Sequence, residues 1–342
     1  MKRSRVLVVL HPSLMPPDSL EGQDPRAIEE WRTEFDVIQT LKASGHEVRA
    51  LGVLDSITEL RAIIDEWQPD VVFNLLEEFD GIVSYDQHVV AFLEMLRQPY
   101  TGCNPRGLLI SRDKVLCKQV FAWHRIPSPQ FQIYRRGQKV RIPRRQRYPL
   151  FVKSSTDDAS LGISQASVVT DAAQLKERVE FMIEQHKSDV LVEEYIEGRE
   201  LYVGVLGNQR ITTFPVWELD FGSLANPIAT RRLKWDPKYR ARHGIDSAPA
   251  ENLPEGTAAQ LDRLSRRIYR ALGLTGYARV DFRMRPDGSV YVLEANANPH
   301  LAREEDFARA AAAAGRDYPA LLDSIVKLGL TYPAQWRVLY GT

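Results

Sequence analysis

The chain has 342 residues, too many for one ordinary core, so two or three domains are expected, each with ample apolar surface to bury. Its 45 basic residues match its 45 acidic ones, and this zero net charge removes any bulk electrostatic case for nucleic acid or an anionic membrane surface as partner. No stretch approaches the roughly 18 to 20 uninterrupted apolar residues of a membrane span; the opening MKRSRVLVVL has too short an apolar run for a signal peptide; and Cys103 and Cys117, without CxxC spacing, suggest neither a disulfide scaffold nor a zinc site, so a cytoplasmic protein is expected.

The first third alternates strand and helix. RVLVVL reads as a first strand running into His11 and Pro12, and a helical pattern follows from about Ala27 to Ala43, closed by Gly45. HEVRALGVL is a second strand, TELRAIIDEW a helix, DVVFNLL a third strand and QHVVAFLEML a helix. This order predicts βαβ units and a parallel sheet whose ligands lie off the carboxyl ends of the strands, and FNLLEEFDG is such an end. One helix is expected over GLLISRDKVLCKQVFAW. After it, RIPSPQF and the basic RRGQKVRIPRRQRYP read as a connecting hairpin and a boundary. The basic run lacks interleaved aromatics, so a solvated loop is expected there rather than a nucleic-acid surface.

From YPLFVKS onward the periodicity is that of paired strands: YPLFVKS, LGISQASVV, DVLVEEYI and RELYVGVLG, with a helix over AAQLKERVEFMIEQH. ARVDFRMRPDGSVYVLEAN gives two alternating strands around Pro-Asp-Gly, a hairpin with its turn chemistry written out. Helices over TAAQLDRLSRRIYRALG, EDFARAAAAAG and DYPALLDSIVKLGL complete the chain.

On that hairpin Asp281 stands on the first strand. Glu294 and Asn296 stand on the second, spaced by two, so their side chains leave the same face. Across the turn Asp281 and Glu294 become cross-strand or diagonal neighbours. Two carboxylates and an amide on a half-buried face repel unless a cation lies between them, and oxygen donors select a hard one such as Mg²⁺. Arg279, on the same face as Asp281, offers a salt bridge as the alternative, and the hairpin alone does not choose. Asn298 precedes Pro299 and is read as shaping the turn.

Lys153 ends the strand PLFVK, and SLGIS then supplies Ser160 and Gly162 in a short loop. A lysine above a Ser/Gly loop combines a point charge with backbone N–H groups, which is the make-up of a phosphate cradle; singly, a strand-end lysine is usually solvated and SxG is a weak motif. In LVEEYIEGRE an apolar strand ends in acceptors, with Glu200 following Glu193. That spacing suits a purine held on the backbone of Glu194 and Ile196, with Glu200 reaching the ribose hydroxyls.

Taken in order, RDK (Lys114), FVKSSTDDASLGIS (Lys153, Ser160), LVEEYIEGRE (Glu193, Glu200), KWDPKY (Lys238), ARVDF (Arg279, Asp281) and LEANANP (Glu294, Asn296) resemble the ATP-grasp fold in its D-alanine–D-alanine ligase branch, over roughly residues 5 to 330. The resemblance implies an α/β protein: an N-terminal parallel α/β domain over 1–110, a central ATP-grasp subdomain over 111–192, and a C-terminal ATP-grasp subdomain with the metal site over 193–342, the last two being α+β units that sandwich ATP. It implies an ATP-dependent carboxylate–amine ligase that works through an acyl phosphate and releases ADP and phosphate, using ATP and a pair of Mg²⁺ or Mn²⁺ ions. Asp281, Glu294 and Asn296 would ligate metal, with Glu294 bridging. Lys114, Lys153 and Lys238 would hold phosphates, and Arg279, with Ser160 and Lys238, would act at the reacting centre. The substrates would be small molecules or peptides, and a homodimer is left open.

The substrate half departs from the family's pattern. HPSLMPPDSLEG replaces a Gly-rich first loop and its Ser-Glu pair, Glu77 stands where a histidine is usual, and His300 with the acidic REED, Arg303 to Asp306, replaces a Gly and a carboxylate-gripping Ser. Substrate contacts are therefore placed on Glu77, His300, Arg303 and Glu305, with one of Glu29, Glu30 or Glu34 adding negative charge, and a substrate other than D-alanine, with an extra positive charge, is expected. An authentic D-alanine–D-alanine ligase and an ATP-binding regulator without chemistry are the alternatives. REED could also be no more than the charged first turn of the helix after it.

Overall fold

The computed structural model of the chain describes residues 3–155, 163–224, 228–230, 233 and 236–340. β1 (Arg5–Leu10) is apolar after its first residue and buried along its length, as a central strand covered on both faces must be. It pairs in parallel with β2 (Glu47–Gly52) on one side and β3 (Val71–Asn74) on the other. The order of filling therefore reverses at β1, and a crevice opens off the carboxyl ends of β1 and β3. α1 (Pro25–Glu30), α2 (Arg32–Ala43) and α3 (Thr58–Trp67) connect these strands, and α4 (Asp86–Met95) follows them.

Two expected helices are each divided. Trp31, at φ −115 and ψ 20, separates α1 from α2. Asp113 separates α5 (Pro105–Arg112) from α6 (Lys114–Trp123), because its carboxylate accepts the N–H groups of Val115 and Leu116 and so starts a new helix. The break sets Lys114 on the first position of α6.

The central sheet is antiparallel, in the order β4 (Phe131–Tyr134), β7 (Val190–Glu194), β5 (Leu150–Ser154), β6 (Val168–Val169), with α7 (Ala172–His186) packed on it. Its core, with Val152, Val179, Met182 and Val190 at the centre, is separate from the other two. The connecting hairpin expected around the basic run is not formed: β4 pairs with β7, and residues 135–149 contain no strand. The run's Val140, Ile142 and Tyr148 pack against the central core without forming a strand, whereas β7 offers an apolar edge for β4. Among the described residues of the strand expected at LGISQASVV, only Val168–Val169 is a strand, after a 3-10 turn over Gln165–Ser167.

The third sheet runs β11 (Asp246–Pro249), β10 (Trp217–Asp220), β8 (Arg199–Leu206), β12 (Tyr277–Met284), β13 (Val290–Asn296), with β9 (Thr212–Thr213) also pairing β8. Its apolar face shares cores with the first domain: Leu7, Val9 and Leu76 belong to the same cluster as Leu201, Val203 and Val280. β7 passes to β8 through residues 195–198. There Gly198 takes φ +139, and a Cβ on it would meet the Met284 carbonyl at 2.0 Å, so glycine is required at the crossing.

Candidate active site

β12 and β13 put Asp281 directly opposite Glu294 and Arg279 directly opposite Asn296, so the residues share one face of the sheet; a register shift follows between Asp281 and Phe282. Asp281 is buried, Glu294 half-buried and Asn296 exposed, so the row leads from the core to the mouth of a cavity. Arg279 forms a two-bond fork onto Asp281, Nε to Oδ1 at 2.7 Å and Nη2 to Oδ2 at 2.8 Å, and its guanidinium lies 4.5 Å from the centre of the Tyr202 ring. The salt-bridge alternative is thus formed, and it leaves the opposed carboxylate pair in place.

The donors fit a hard cation. Two opposed carboxylates and a carboxamide offer only oxygen ligands, and the Asn296 Oδ1 already accepts the Asn298 N–H at 3.0 Å, which orients its amide. Among the described residues no group of three or more His, Cys, Asp or Glu is gathered for a metal. An ion here would complete its shell with water and phosphate oxygens, the habit of Mg²⁺ at sites that carry phosphate.

Behind this row lies a buried ion triad. Glu193, on β7, is flanked by Lys153 Nζ at 2.6 Å from Oε1 and Lys118 Nζ at 2.8 Å from Oε2. Burial alone would raise the Glu193 carboxyl, but the two lysines outweigh it and hold it below its usual range. Burial pulls the Lys118 ammonium down. Lys153 is held up, against burial, by Glu193 and then Glu294, which ties β5 to the β13 member of the carboxylate pair. Two lysines face the one carboxylate of Glu193 at this buried place, and an anionic ligand would favour the charged form of both. Lys114 is buried nearby, its N–H bonded to the Ser155 carbonyl at 3.1 Å. The sequence reading missed Lys118; its signal was the i, i+4 spacing from Lys114, which sets both on one face of α6.

The crossing between the sheets is fastened on one side and open on the other. Glu200 receives Arg283 Nη2 at 2.7 Å and the Tyr202 hydroxyl at 2.7 Å, and Arg283 also donates to the Gly198 carbonyl at 3.1 Å. Glu200 is thereby buried in an ion pair. The Glu194 N–H donates to the Gln130 carbonyl at 2.8 Å and its carboxylate pairs with Arg285. Ile196 has a buried side chain, and among the described residues no hydrogen bond joins its backbone to another. A backbone N–H and C=O left without such a bond is what the edge of a purine requires. Ser160 and Gly162 lie outside the described residues.

Two adjoining cavities meet here. The first, of about 300 Å³, is lined by Lys114, Arg112, Arg240, Arg279, Glu294 and Asn296 among others. Lys238 is exposed on the helix Pro237–His243, and it is Arg240 of that helix that reaches the cavity. The second, of about 350 Å³, opens off β1 and β3 and is lined by Glu30, Glu34, His11, His300 and Tyr277. Glu77, Glu78, Asn298 and His300 line both, so the two communicate.

The acidic segment after Pro299 is divided among several tasks. His300 places Nε2 2.5 Å from Thr33 Oγ1 and Nδ1 3.5 Å from Glu305 Oε1. Arg303 lines neither cavity: its N–H donates to Asp36 at 3.0 Å, its guanidinium to Thr40 at 3.1 Å, and it stacks 4.8 Å from the Tyr318 ring, which fastens the segment to α2. Asp306 accepts the Ser247 hydroxyl. Of the acidic residues considered on the first helical stretch, Glu30 and Glu34 line the inner cavity.

Comparison with known proteins agrees with this architecture. The family model described as D-ala D-ala ligase C-terminus matches residues 119–327. An uncharacterized protein, y4sG, of Sinorhizobium fredii is 33% identical over 312 residues, 89% of each chain. A D-alanine–D-alanine ligase of Nitratidesulfovibrio vulgaris is 30% identical over 310 residues, 88% of this chain and 96% of its own. Among solved structures, the D-alanine–D-alanine ligase of Bacillus anthracis complexed with ATP superposes with a TM-score of 0.72 over 96% of this chain and 97% of its own, at 23% identity, a likeness of fold.

Proposed function

The chain belongs to the D-ala D-ala ligase family and has the ATP-grasp fold, and from that premise we propose that it joins a carboxylate to an amine at the cost of ATP, through an acyl phosphate. The observation that carries the reading is the opposed pair Asp281 and Glu294: Asp281 is buried behind the face, and Glu294, with Arg279 and Asn296, lines a cavity that Lys114 also lines. A protein that only bound nucleotide would gain nothing from a carboxylate pair held together there. Phosphoryl transfer asks the protein for little covalent work and mainly for preset charge, and that is what these residues supply.

In this reading a substrate carboxylate oxygen attacks the γ-phosphorus, the bond to the β-phosphate oxygen breaks, and ADP leaves. The amine then attacks the acyl carbon, loses a proton, and inorganic phosphate departs as the amide forms. Asp281, Glu294 and Asn296 would hold Mg²⁺, which supplies Lewis-acid neutralisation of phosphate charge. Arg279, fixed by its fork to Asp281 and by Tyr202, would steady the transferring group and the tetrahedral oxyanion. Lys114, Lys153 and Lys118 would set positive charge around the phosphates, with Ser160, Gly162 and Lys238 assigned the same task by family likeness. Adenine would lie on the Ile196 backbone beside Glu194, and Glu200, held by Arg283, would face the ribose.

The central sheet has its own core, whereas Cys117, Phe121 and Ile126 of 111–192 join the core that 1–110 and 193–342 share, so a closing motion would carry the central sheet and α7 rather than the whole of 111–192. The test is ADP release on mixing ATP, Mg²⁺ and pairs of amino acids or short peptides, with the amide product found by mass spectrometry. Nucleotide binding without ADP release on any pair would contradict the ligase reading.

A further inference from the structure

We propose that the carboxylate substrate is an amino acid whose side chain carries a second positive charge, and that the inner cavity off β1 and β3 is where that charge is read. The inference rests on the ligase reading above and names the substrate class of that site.

The two cavities differ in charge. The outer one is mixed: Arg112, Lys114, Arg240 and Arg279 line it together with Glu294, Glu305 and Asp306, and with Glu77 and Glu78, which it shares with the inner one. Glu30, Glu34, Glu77 and Glu78 line the inner one, and among the described residues no Lys or Arg does. Its basic side chains are His11 and His300, and both are engaged. His11 lies 3.5 Å from Glu78 and 2.7 Å from the Ser13 hydroxyl, and His300 is held between Thr33 and Glu305. A substrate lying across the two cavities is oriented by this field, its carboxylate toward Arg279 and its ammonium groups inward.

Glu34 is the independent sign that a cation belongs there. It is 5% exposed and lines the cavity, yet among the described residues no side chain forms an ion pair with it or donates to it; its own backbone is the hydrogen-bond partner its carboxyl has. A buried carboxyl whose one donor is its own backbone N–H is costly to ionise unless a ligand supplies a counter-charge. Burial pushes its pKa up to about 7, with His300 opposing and Glu77 adding to the rise, so an arriving ammonium would be met by a group ready to ionise.

One α-ammonium would serve Glu34, and a second positive charge would be drawn by the field of a cavity that among the described residues no Lys or Arg lines, where Glu78 shares only the His11 ring and Glu30 is exposed at the edge. The volume of about 350 Å³ is that of about ten waters, more than an amino acid with a methyl side chain fills. An amine-bearing side chain of a few methylenes meets both requirements, since its stem can lie along Leu14, Leu76 and Tyr277 while its ammonium reaches the glutamates.

The experiment pairs binding with turnover. Calorimetry with a non-hydrolysable ATP analogue and Mg²⁺ compares ornithine, lysine and alanine, each as both enantiomers, on the wild type and on Glu30→Gln with Glu78→Gln. The expected result is at least tenfold tighter binding of ornithine or lysine than of alanine in the wild type, with the preference cut at least fivefold in the double variant. Alanine binding as tightly as the basic amino acids, or a preference untouched by the double variant, overturns the inference. ADP release separates it from the reading beneath it. Release with alanine alone overturns this inference and leaves the ligase standing, whereas tight binding of ornithine with no ADP release on any pair supports this inference and contradicts the ligase.

Discussion

Lys153 and Glu193 form an ion pair of 2.6 Å at the end of β5, and Lys118 lies on the opposite oxygen of the same carboxylate. A lone Lys153–Glu193 pair would satisfy itself; with two lysines on one carboxylate, a phosphate would favour the charged form of both. Lys153→Ala is expected to raise the ATP KM and lower kcat, together by roughly 10² to 10³ in kcat/KM, as for other preset charges. Lys118→Met should move kcat/KM in the same direction by a smaller factor, with Lys118→Arg recovering part of it. Steady-state ADP release read against ATP concentration checks both, and a Lys118→Met enzyme with unchanged ATP kinetics would assign Lys118 to stability alone.

Glu34 gives a pH signature. Its carboxyl rises from 4.5 to about 7 on folding, first through burial, with His300 and Glu77 as the charged groups facing it. Below 4.5 the folded and unfolded states both carry the proton, and no penalty arises. As pH rises through the interval the unfolded state ionises first. The fold then loses stability, by an amount that reaches about 3 kcal/mol above pH 7. Glu34→Gln removes that loss. The Tm of the variant should therefore exceed that of the wild type by a margin that grows between pH 5 and pH 8; a margin constant across the range would mean that Glu34 is ionised throughout.

The pair Glu200–Arg283 closes the crossing between the sheets, with Arg283 5% and Glu200 7% exposed in their side chains. Removing one partner leaves a buried charge uncompensated, so Arg283→Met should cost about 3 to 5 kcal/mol of stability. Urea denaturation of the two proteins measures it. A loss below about 1 kcal/mol would show that Glu200 is solvated at this position.

Much of this was legible in the sequence, and what was not has physical causes. The parallel first sheet, the Pro-Asp-Gly hairpin and the shared face of Arg279, Asp281, Glu294 and Asn296 follow from period-two spacing, which fixes side-chain direction without knowledge of the rest of the chain. The helix breaks at Trp31 and Asp113 were hidden because apolar periodicity continues across them, and a single side-chain cap decides the second. β4 was misassigned because pairing with β7 joins residues about sixty positions apart, a contact no local pattern carries. The REED segment was read as a source of substrate contacts, with Arg303 and Glu305 among them, whereas tertiary partners divide it. Arg303 goes to Asp36 and Thr40, Glu305 to His300 and Asp306 to Ser247.

The most direct measurement is ADP release by Glu294→Gln at saturating Mg²⁺ and ATP, beside wild type, with circular dichroism to verify the fold. Glu294 stands opposite Asp281 and half-exposed to the cavity, so the neutral isostere keeps its shape and removes one of the two charges. The account predicts that the variant folds like wild type and that its activity falls by more than about a hundredfold, the order expected when a preset electrostatic group is lost. Activity within tenfold of wild type would contradict the claim that the face of β12 and β13 is the catalytic metal site.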